Sequence, residues 1–194
     1  HYFGKMFWFG SGAEYDLDYN IRNVQSDLIN FHTSDLYTNG KIEISNWTRE
    51  DHSGDIYNLR LFGCFGLYEP EHRFIKSVIR CLREGKDPAI TRDRVIDFFY
   101  VGDLYRVILH ITNNNSTFPN EMNMCYRTKY SLTEIAEFIH KSRPDACISV
   151  EFPERGLYYT GDGSLLDTSM PNLDLVGLHK GIEEVMNCEL AKQS

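Results

Sequence analysis

Residues 36–62, LYTNGKIEISNWTREDHSGDIYNLRLF, hold a helix and the buried strand that follows it. Ser34 or Asp35 can cap the helix, Leu36–Glu50, because a short polar side chain just ahead of a helix accepts one of its unpaired amide N–H groups. Tyr37, Lys41, Ile44 and Thr48 run down one side of it. Ile56–Phe62 (IYNLRLF) reads as a buried strand, closed by Gly63-Cys64-Phe65-Gly66. Upstream, Lys5–Phe9 (KMFWF) is another short apolar run, also read as a buried strand, ending at Gly10-Ser11-Gly12. Between them, residues 13–34 are irregular and polar, with Asp16, Asp18, Asn20, Asn23, Asp27 and Asn30, a long loop at a strand end where function commonly sits.

Helical spacing returns at Glu71–Glu84 through Phe74, Val78, Ile79 and Leu82, with Gly85 as the stop. Asp97–Val101 (DFFYV) is a short extended piece before a helix over about Asp103–Thr112, and Asn113–Ser116 is a loop. Ser131-x-x-Glu134 is a capping box opening the helix Leu132–Lys141. Ala146–Phe152 reads as a strand and Leu173–Leu190 as the last helix. Strands alternating with helices give an α/β fold, with a mostly parallel sheet in the first half.

A length of 194 residues fits one domain, or one domain with a small lobe. With 42% hydrophobic and 25% charged residues the chain has the composition of a folded globular protein. Net charge is −8 and the 20 Lys and Arg are scattered, so nucleic acid is excluded as an expected partner. No apolar run approaches the roughly 18 residues of a membrane span, and the first residues lack a signal-peptide pattern. Cys64, Cys81, Cys125, Cys147 and Cys188 are odd in number and form no C-x-x-C pair, which points to reduced thiols in a cytoplasmic protein rather than a zinc site or a disulfide framework.

The chemistry centres on Tyr37-x-x-x-Lys41, whose members share a helix face and bring an ammonium near a phenol. A fixed cation can lower a tyrosine pKa by about 1–3 units, into range for proton transfer near neutrality. Ser11 follows a strand, and the ends of parallel strands are where ligands dock. Its hydroxyl can hold a substrate oxygen while Tyr37 moves the proton. The ordinary alternative for the pair is a surface helix contact, and for each arginine a solvated charge.

Taken in order, Ser11 in a G-S-x-x-x-Y context, Tyr37-x-x-x-Lys41, Asn58-Leu-Arg-Leu-Phe-Gly63, Arg73-Phe-Ile75 and Asp97-Phe-Phe-Tyr-Val101 resemble the extended short-chain dehydrogenases. More narrowly they resemble the nucleoside-diphosphate-sugar epimerases, dehydratases and reductases. Gly156–Asp162 and Gly177–Ile182 are similar to the C-terminal sugar-nucleotide lobe of some members. The resemblance implies the C-terminal portion of a Rossmann-like doubly wound parallel sheet with a small α+β substrate lobe. The first division, 1–66, would be the catalytic half, with substrate-lobe and return segments interleaved, and 67–194 mainly the sugar-nucleotide-binding lobe. It further implies hydride exchange with NAD or NADP at one sugar carbon. Tyr37 would be the acid/base, Lys41 would tune it and hold the nicotinamide ribose, and Ser11 would position the sugar. Arg60, Arg73 and Arg94 would meet the nucleotide or diphosphate, because guanidinium suits bidentate phosphate contact.

Where relatives of the dehydratase type carry Asp and Glu after the serine, Gly12 and Ala13 stand here, and neither can move a proton. Fucose-synthase-type members place Cys where Ala13 stands. The expectation is therefore 4-epimerisation or 4-keto reduction, with a non-catalytic sugar-nucleotide-binding relative as the alternative. No G-x-G-x-x-G or G-x-x-G-x-x-G turn for a pyrophosphate occurs in the sequence. The chain thus reads as the later part of a longer enzyme, inactive alone, with weak or no cofactor binding and a homodimeric full-length form. An exposed apolar patch at Met6–Phe9 and one side of Leu36–Glu50 is the physical consequence, each large side chain forfeiting about 1.5–3 kcal/mol.

Overall fold

The computed structural model describes residues 4–15, 21–24, 33–50 and 55–191; Asp16, Asp18, Asn20, Asp27 and Asn30 of the expected loop lie outside them. The first unit is β1 (Met6–Ser11), a short 3-10 turn (Gly12–Glu14), β2 (Ile21–Val24), α1 (Leu36–Glu50) and β3 (Ile56–Leu61). β1 and β3 are parallel and in register from Met6 opposite Ile56 to Ser11 opposite Leu61, so α1 is the crossover helix of a βαβ unit. Asp35 caps α1, its carboxylate accepting the Thr38 N–H at 2.9 Å. Thr38, Ile42, Ser45 and Thr48 face inward. That stripe lies one step round the helix from the Tyr37–Lys41 pair, which leaves the pair free of the core.

β4 (Cys64–Phe65), α2 (Phe74–Arg83), β5 (Ala89–Arg92), β6 (Phe99–Tyr100) and α3 (Val101–Asn113) lead back to the sheet through β7 (Glu121–Met124). β7 is parallel to β3, giving the strand order β1-β3-β7. The remaining elements are α4 (Leu132–Ile139), β8 (Ser149–Phe152), β9 (Tyr159–Gly161), α5 (Ser164–Ser169) and α6 (Leu178–Ala191). Three further parallel pairs, β2-β9, β4-β6 and β5-β8, tie the lobe together. The fold is thus α/β with parallel strands, as expected. β7, from the second span, completes the sheet begun in the first, so the two spans interleave in space.

Three apolar clusters hold these layers. Tyr57, Leu59, Met122 and Met124 of the sheet pack on Leu104, Val107 and Ile111 of α3. Ile75, Val78 and Ile79 of α2 meet Ile135 and Ile139 of α4 and Ile182 and Val185 of α6. Tyr15, Ile21, Ile42, Phe62 and Cys125 form the third, smaller cluster beneath the end of β1.

Several boundaries differ from the sequence reading. β1 is not buried: Met6, Phe7 and Trp8 are half-covered and Phe9 is exposed, because β1 has a sheet neighbour on one side only among the described residues. α2 starts at Phe74 rather than Glu71, after a turn in which the Arg73 N–H bonds the Pro70 carbonyl. Gly85 ends α2 with φ +68°, as a stop glycine should. α6 starts at Leu178, since Gly177 has φ +85° and its N–H, like that of Val176, is taken by the buried carboxylate of Asp103.

Candidate functional site

The site grows from the end of β1. Ser11 is extended (φ −138°, ψ 144°) and caps the 3-10 turn, its Oγ accepting the Ala13 N–H at 3.1 Å. Glu14 returns the bond, its carboxylate accepting the Ser11 N–H at 2.7 Å, so the serine is fixed at both backbone and side chain. α1 crosses this strand end. Lys41 Nζ donates to the Phe9 carbonyl at 2.8 Å and lies 4.3 Å from the Trp8 ring centre and 5.6 Å from that of Tyr37. Tyr37 is 59% exposed, its ring open to solvent beside the ammonium.

The sequence reading missed Tyr159 on β9, which joins these residues. Its hydroxyl lies beside the Gly12 backbone, where an added Cβ would be 2.7 Å from it, next along the chain from Ser11. Burial, opposed by the neighbouring Ser11 hydroxyl and reinforced by Tyr37, pushes the Tyr159 phenol well above its ordinary range. Phe62 brings the strands this close: its ring packs 5.8 Å from Tyr15 and 5.1 Å from Tyr159, between Gly12 and Gly161. A Cβ on either glycine would run into that ring. Asp97 anchors β9 from below, accepting from the Gly161 N–H at 2.8 Å and pairing with Lys129 at 2.7 Å.

Tyr159 is also the inner wall of an open cavity of about 850 Å³ that continues past Ile21, Phe74, Leu132 and Tyr158 to His72, Arg92 and Arg94. Arg94 was expected at a ligand and does line this cavity. Arg92, which was not singled out, lines it too, with its guanidinium 5.4 Å from the Phe152 ring centre. The signal was legible in Thr91-Arg92-Asp93-Arg94, because residues two apart in an extended chain share a face. Arg73 is exposed at the head of α2; its neighbours His72 and Phe74 line the cavity and it does not.

Arg60 requires a correction. Its guanidinium is 0% exposed and is taken up by Glu14 at 2.7 Å and Glu121 at 2.9 Å, with Asn123, Ser45 and the Tyr15 hydroxyl as further acceptors. Every direction a phosphate would need is occupied by the protein's own groups, so Arg60 braces β3 to β7 and to the turn after β1. Glu14 is likewise buried and paired, which removes it as a proton carrier. Cys64 is half-buried, and burial beside Glu69 pushes its thiol up to about 11, so it is a neutral thiol at ordinary pH.

A parallel sheet with a serine at one strand's end and a tyrosine–lysine pair on the crossover helix defines an extended short-chain dehydrogenase/reductase fold. Within that class the chain belongs to the NAD dependent epimerase/dehydratase family, whose sequence profile matches residues 2–125. No curated protein sequence matches it. Among solved structures it is similar to UDP-glucuronic acid 4-epimerase from Bacillus cereus in complex with UDP-glucuronic acid and NAD: TM-score 0.74 and 20% identity, covering 97% of this chain and 62% of that one. It is also similar to a GDP-L-fucose synthetase from Naegleria fowleri bound to NADP: TM-score 0.78 and 13% identity, covering 98% of this chain and 64% of that one. A third is UDP-N-acetylglucosamine 4-epimerase from Methanobrevibacter ruminantium M1: TM-score 0.75 and 18% identity, covering 97% and 64%. These likenesses show the fold, and the chain spans less than two thirds of each relative's length. No helix among the described residues is long and apolar enough to cross a membrane.

Proposed function

We propose that this chain supplies the catalytic and substrate-binding part of an NAD(P)-dependent enzyme acting at one carbon of a nucleotide-activated sugar, by 4-epimerisation or 4-keto reduction. The observation that supports this reading is Lys41 standing beside the Tyr37 ring and bonded to the Phe9 carbonyl of the strand that ends in Ser11, with a cavity lined by Tyr159, Arg92 and Arg94 in the same fold.

In this reading Tyr37 takes or returns the proton of the sugar oxygen while Lys41 stabilises its charged form. A lysine ammonium carries three donors and one is committed to Phe9, which leaves two for a ribose hydroxyl. The exposed phenol and these donors fit the nicotinamide-ribose end of the cofactor; no glycine turn in the sequence fits its pyrophosphate. When bound, the nicotinamide would accept or return a hydride. Ser11, pinned at two points, fixes the polar lining that orients the sugar. Arg92 and Arg94 sit on the same cavity wall, where a diphosphate would find two guanidinium groups. A homodimer is the proposed state of the longer enzyme.

The test is thermal melting of the purified chain with UDP-glucuronic acid, UDP-N-acetylglucosamine and GDP-fucose, each with and without NAD and NADP. A rise in melting temperature with at least one sugar nucleotide is expected, reduced by Arg92→Ala with Arg94→Ala. A chain that responds to none of them overturns the substrate class. In a longer form carrying the cofactor turn, Tyr37→Phe should remove most turnover at unchanged stability. Full activity in that variant would remove Tyr37 from its role, and sugar binding without any turnover would favour the non-catalytic relative.

A further inference from the structure

We propose that Trp8 is a positioning residue for Lys41: its indole face sets where the ammonium stands beside Tyr37. The inference rests on the catalytic reading above for its purpose, though not for its geometry. Lysine carries a compact charge with three donors on a flexible four-carbon stem, and no single acceptor orients it. Lys41 Nζ gives one donor to the Phe9 carbonyl at 2.8 Å. That bond alone fixes a distance from the strand and leaves the stem free to swing about it. The Trp8 ring supplies a second constraint, its centre 4.3 Å from Nζ, against 5.6 Å for the Tyr37 ring. A cation is drawn to the face of an aromatic ring, and most strongly to that of tryptophan. Trp8 and Phe9 are neighbours on β1, so one short stretch of strand contributes both contacts.

Tryptophan at this place carries a cost that a space-filling ring would not. Its indole N–H is buried and meets no hydrogen-bond partner among the described residues. A buried donor left unpaired opposes folding, and phenylalanine would present an aromatic ring without one. What tryptophan adds is the stronger ring face, and Lys41 is the cation in front of it. Asn58, opposite Trp8 on β3, donates to the Ser45 hydroxyl at 2.9 Å, which ties α1 to the strand pair beside this contact. Helix and sheet are thus fixed to each other, and the lysine stem is the movable part that the ring holds. The ring also keeps water from one side of the ammonium, and a charge less screened by water acts more strongly on a neighbouring phenol. Trp8 acts through Lys41 rather than on the reacting atoms.

The test uses tetranitromethane, which nitrates tyrosine through its phenolate, the form that Lys41 stabilises in this reading. Nitration of Tyr37 at one fixed pH is followed by peptide mass spectrometry and divided by that of Tyr68, a reference that is 94% exposed. The chain has two tryptophans, so in a Trp47→Phe background Trp8 is the only one. There it is replaced by mono-, di- and trifluorinated tryptophan, which keep the ring's shape while draining charge from its face. The nitration ratio should fall step by step along that series, by about two- to fivefold in all. Trp8→Leu should bring it to the level of Lys41→Met, and Trp8→Phe, with a weaker face, should lie between wild type and Trp8→Leu. A flat fluorine series, or Trp8→Leu at the wild-type ratio, overturns the proposal. If Lys41→Met still lowers the ratio in that case, the catalytic reading stands without it. A ratio unmoved by Lys41→Met removes the pairing of ammonium and phenol, and both readings with it. Should Trp8→Leu fail to fold, the fluorinated series decides the question alone.

Discussion

Arg60 sits with no exposed surface between two carboxylates supplied by distant parts of the chain, Glu14 and Glu121. Removing the guanidinium leaves the buried Glu14 charge without its partner, so Arg60→Met should cost about 3–5 kcal/mol in urea unfolding. Adding Glu14→Gln should recover much of that loss, since the uncompensated charge goes with it; a double variant no more stable than the single would show that packing, not charge, sets the cost. Glu69 is the opposite case. Burial raises its carboxyl to about 7 against the pull of Arg73 and Lys76, and one of its oxygens is buried without a partner. A carboxyl whose folded pKa is raised favours the fold below its unfolded value and loses that contribution as pH climbs to the folded one. The window here runs from about 4.5 to about 7. Above it, Glu69→Gln should be more stable than wild type by roughly 1 kcal/mol, and the difference should fade on acidification; equal melting temperatures at pH 5 and pH 8 would contradict it.

At the scale of elements, the site depends on Phe62 lying between Gly12 in the turn and Gly161 at the end of β9. Gly161→Ala would drive a methyl into the ring and into the Cys125 sulfur, at a cost of about 1–3 kcal/mol, and would draw Tyr159 away from Ser11. Combining it with Phe62→Leu should restore part of the stability, which thermal melting of the three variants would resolve. The same contact shows where the sequence stops being legible. α1, α2, α3 and α4 announce themselves through periodicity and caps, and β3 through an unbroken apolar run. β9 is three residues long, two of its positions are Thr and Gly, and its meaning lies in a ring contact reaching back to Phe62. β7 was missed for a similar reason, since Asn123 breaks its apolar run while being buried as the partner of Tyr15 and Arg60. The nearness of Lys41 to the Tyr37 ring was legible because residues four apart on a helix share a face, whereas Ser11 stood out only by its place at a strand end. Arg60 was misread because Asn58-Leu-Arg-Leu gives no sign of which charges stand opposite.

Over the whole molecule, β1 and α1 carry large apolar groups that no described residue covers. Phe9 on β1 is 44% exposed, and on α1 Leu36 is 86%, Tyr37 59% and Trp47 53% exposed. β1 is also a sheet edge among the described residues, with backbone groups available for pairing. Such a face promotes self-association, and a net charge of −8 opposes it through repulsion between copies. The two effects respond oppositely to salt. Screening shortens the reach of the repulsion to about 8 Å at physiological ionic strength and leaves apolar attraction in place, so association should grow as salt is added. Leu36→Glu with Trp47→Lys removes two of the exposed apolar groups at unchanged net charge, and each new charge suits its end of the helix dipole. That double variant should sediment as a smaller species than wild type in high salt and bind less of a hydrophobic dye, with its melting temperature preserved. A wild-type chain that stays monomeric in high salt and binds no dye would overturn the reading of this face as a surface for self-association.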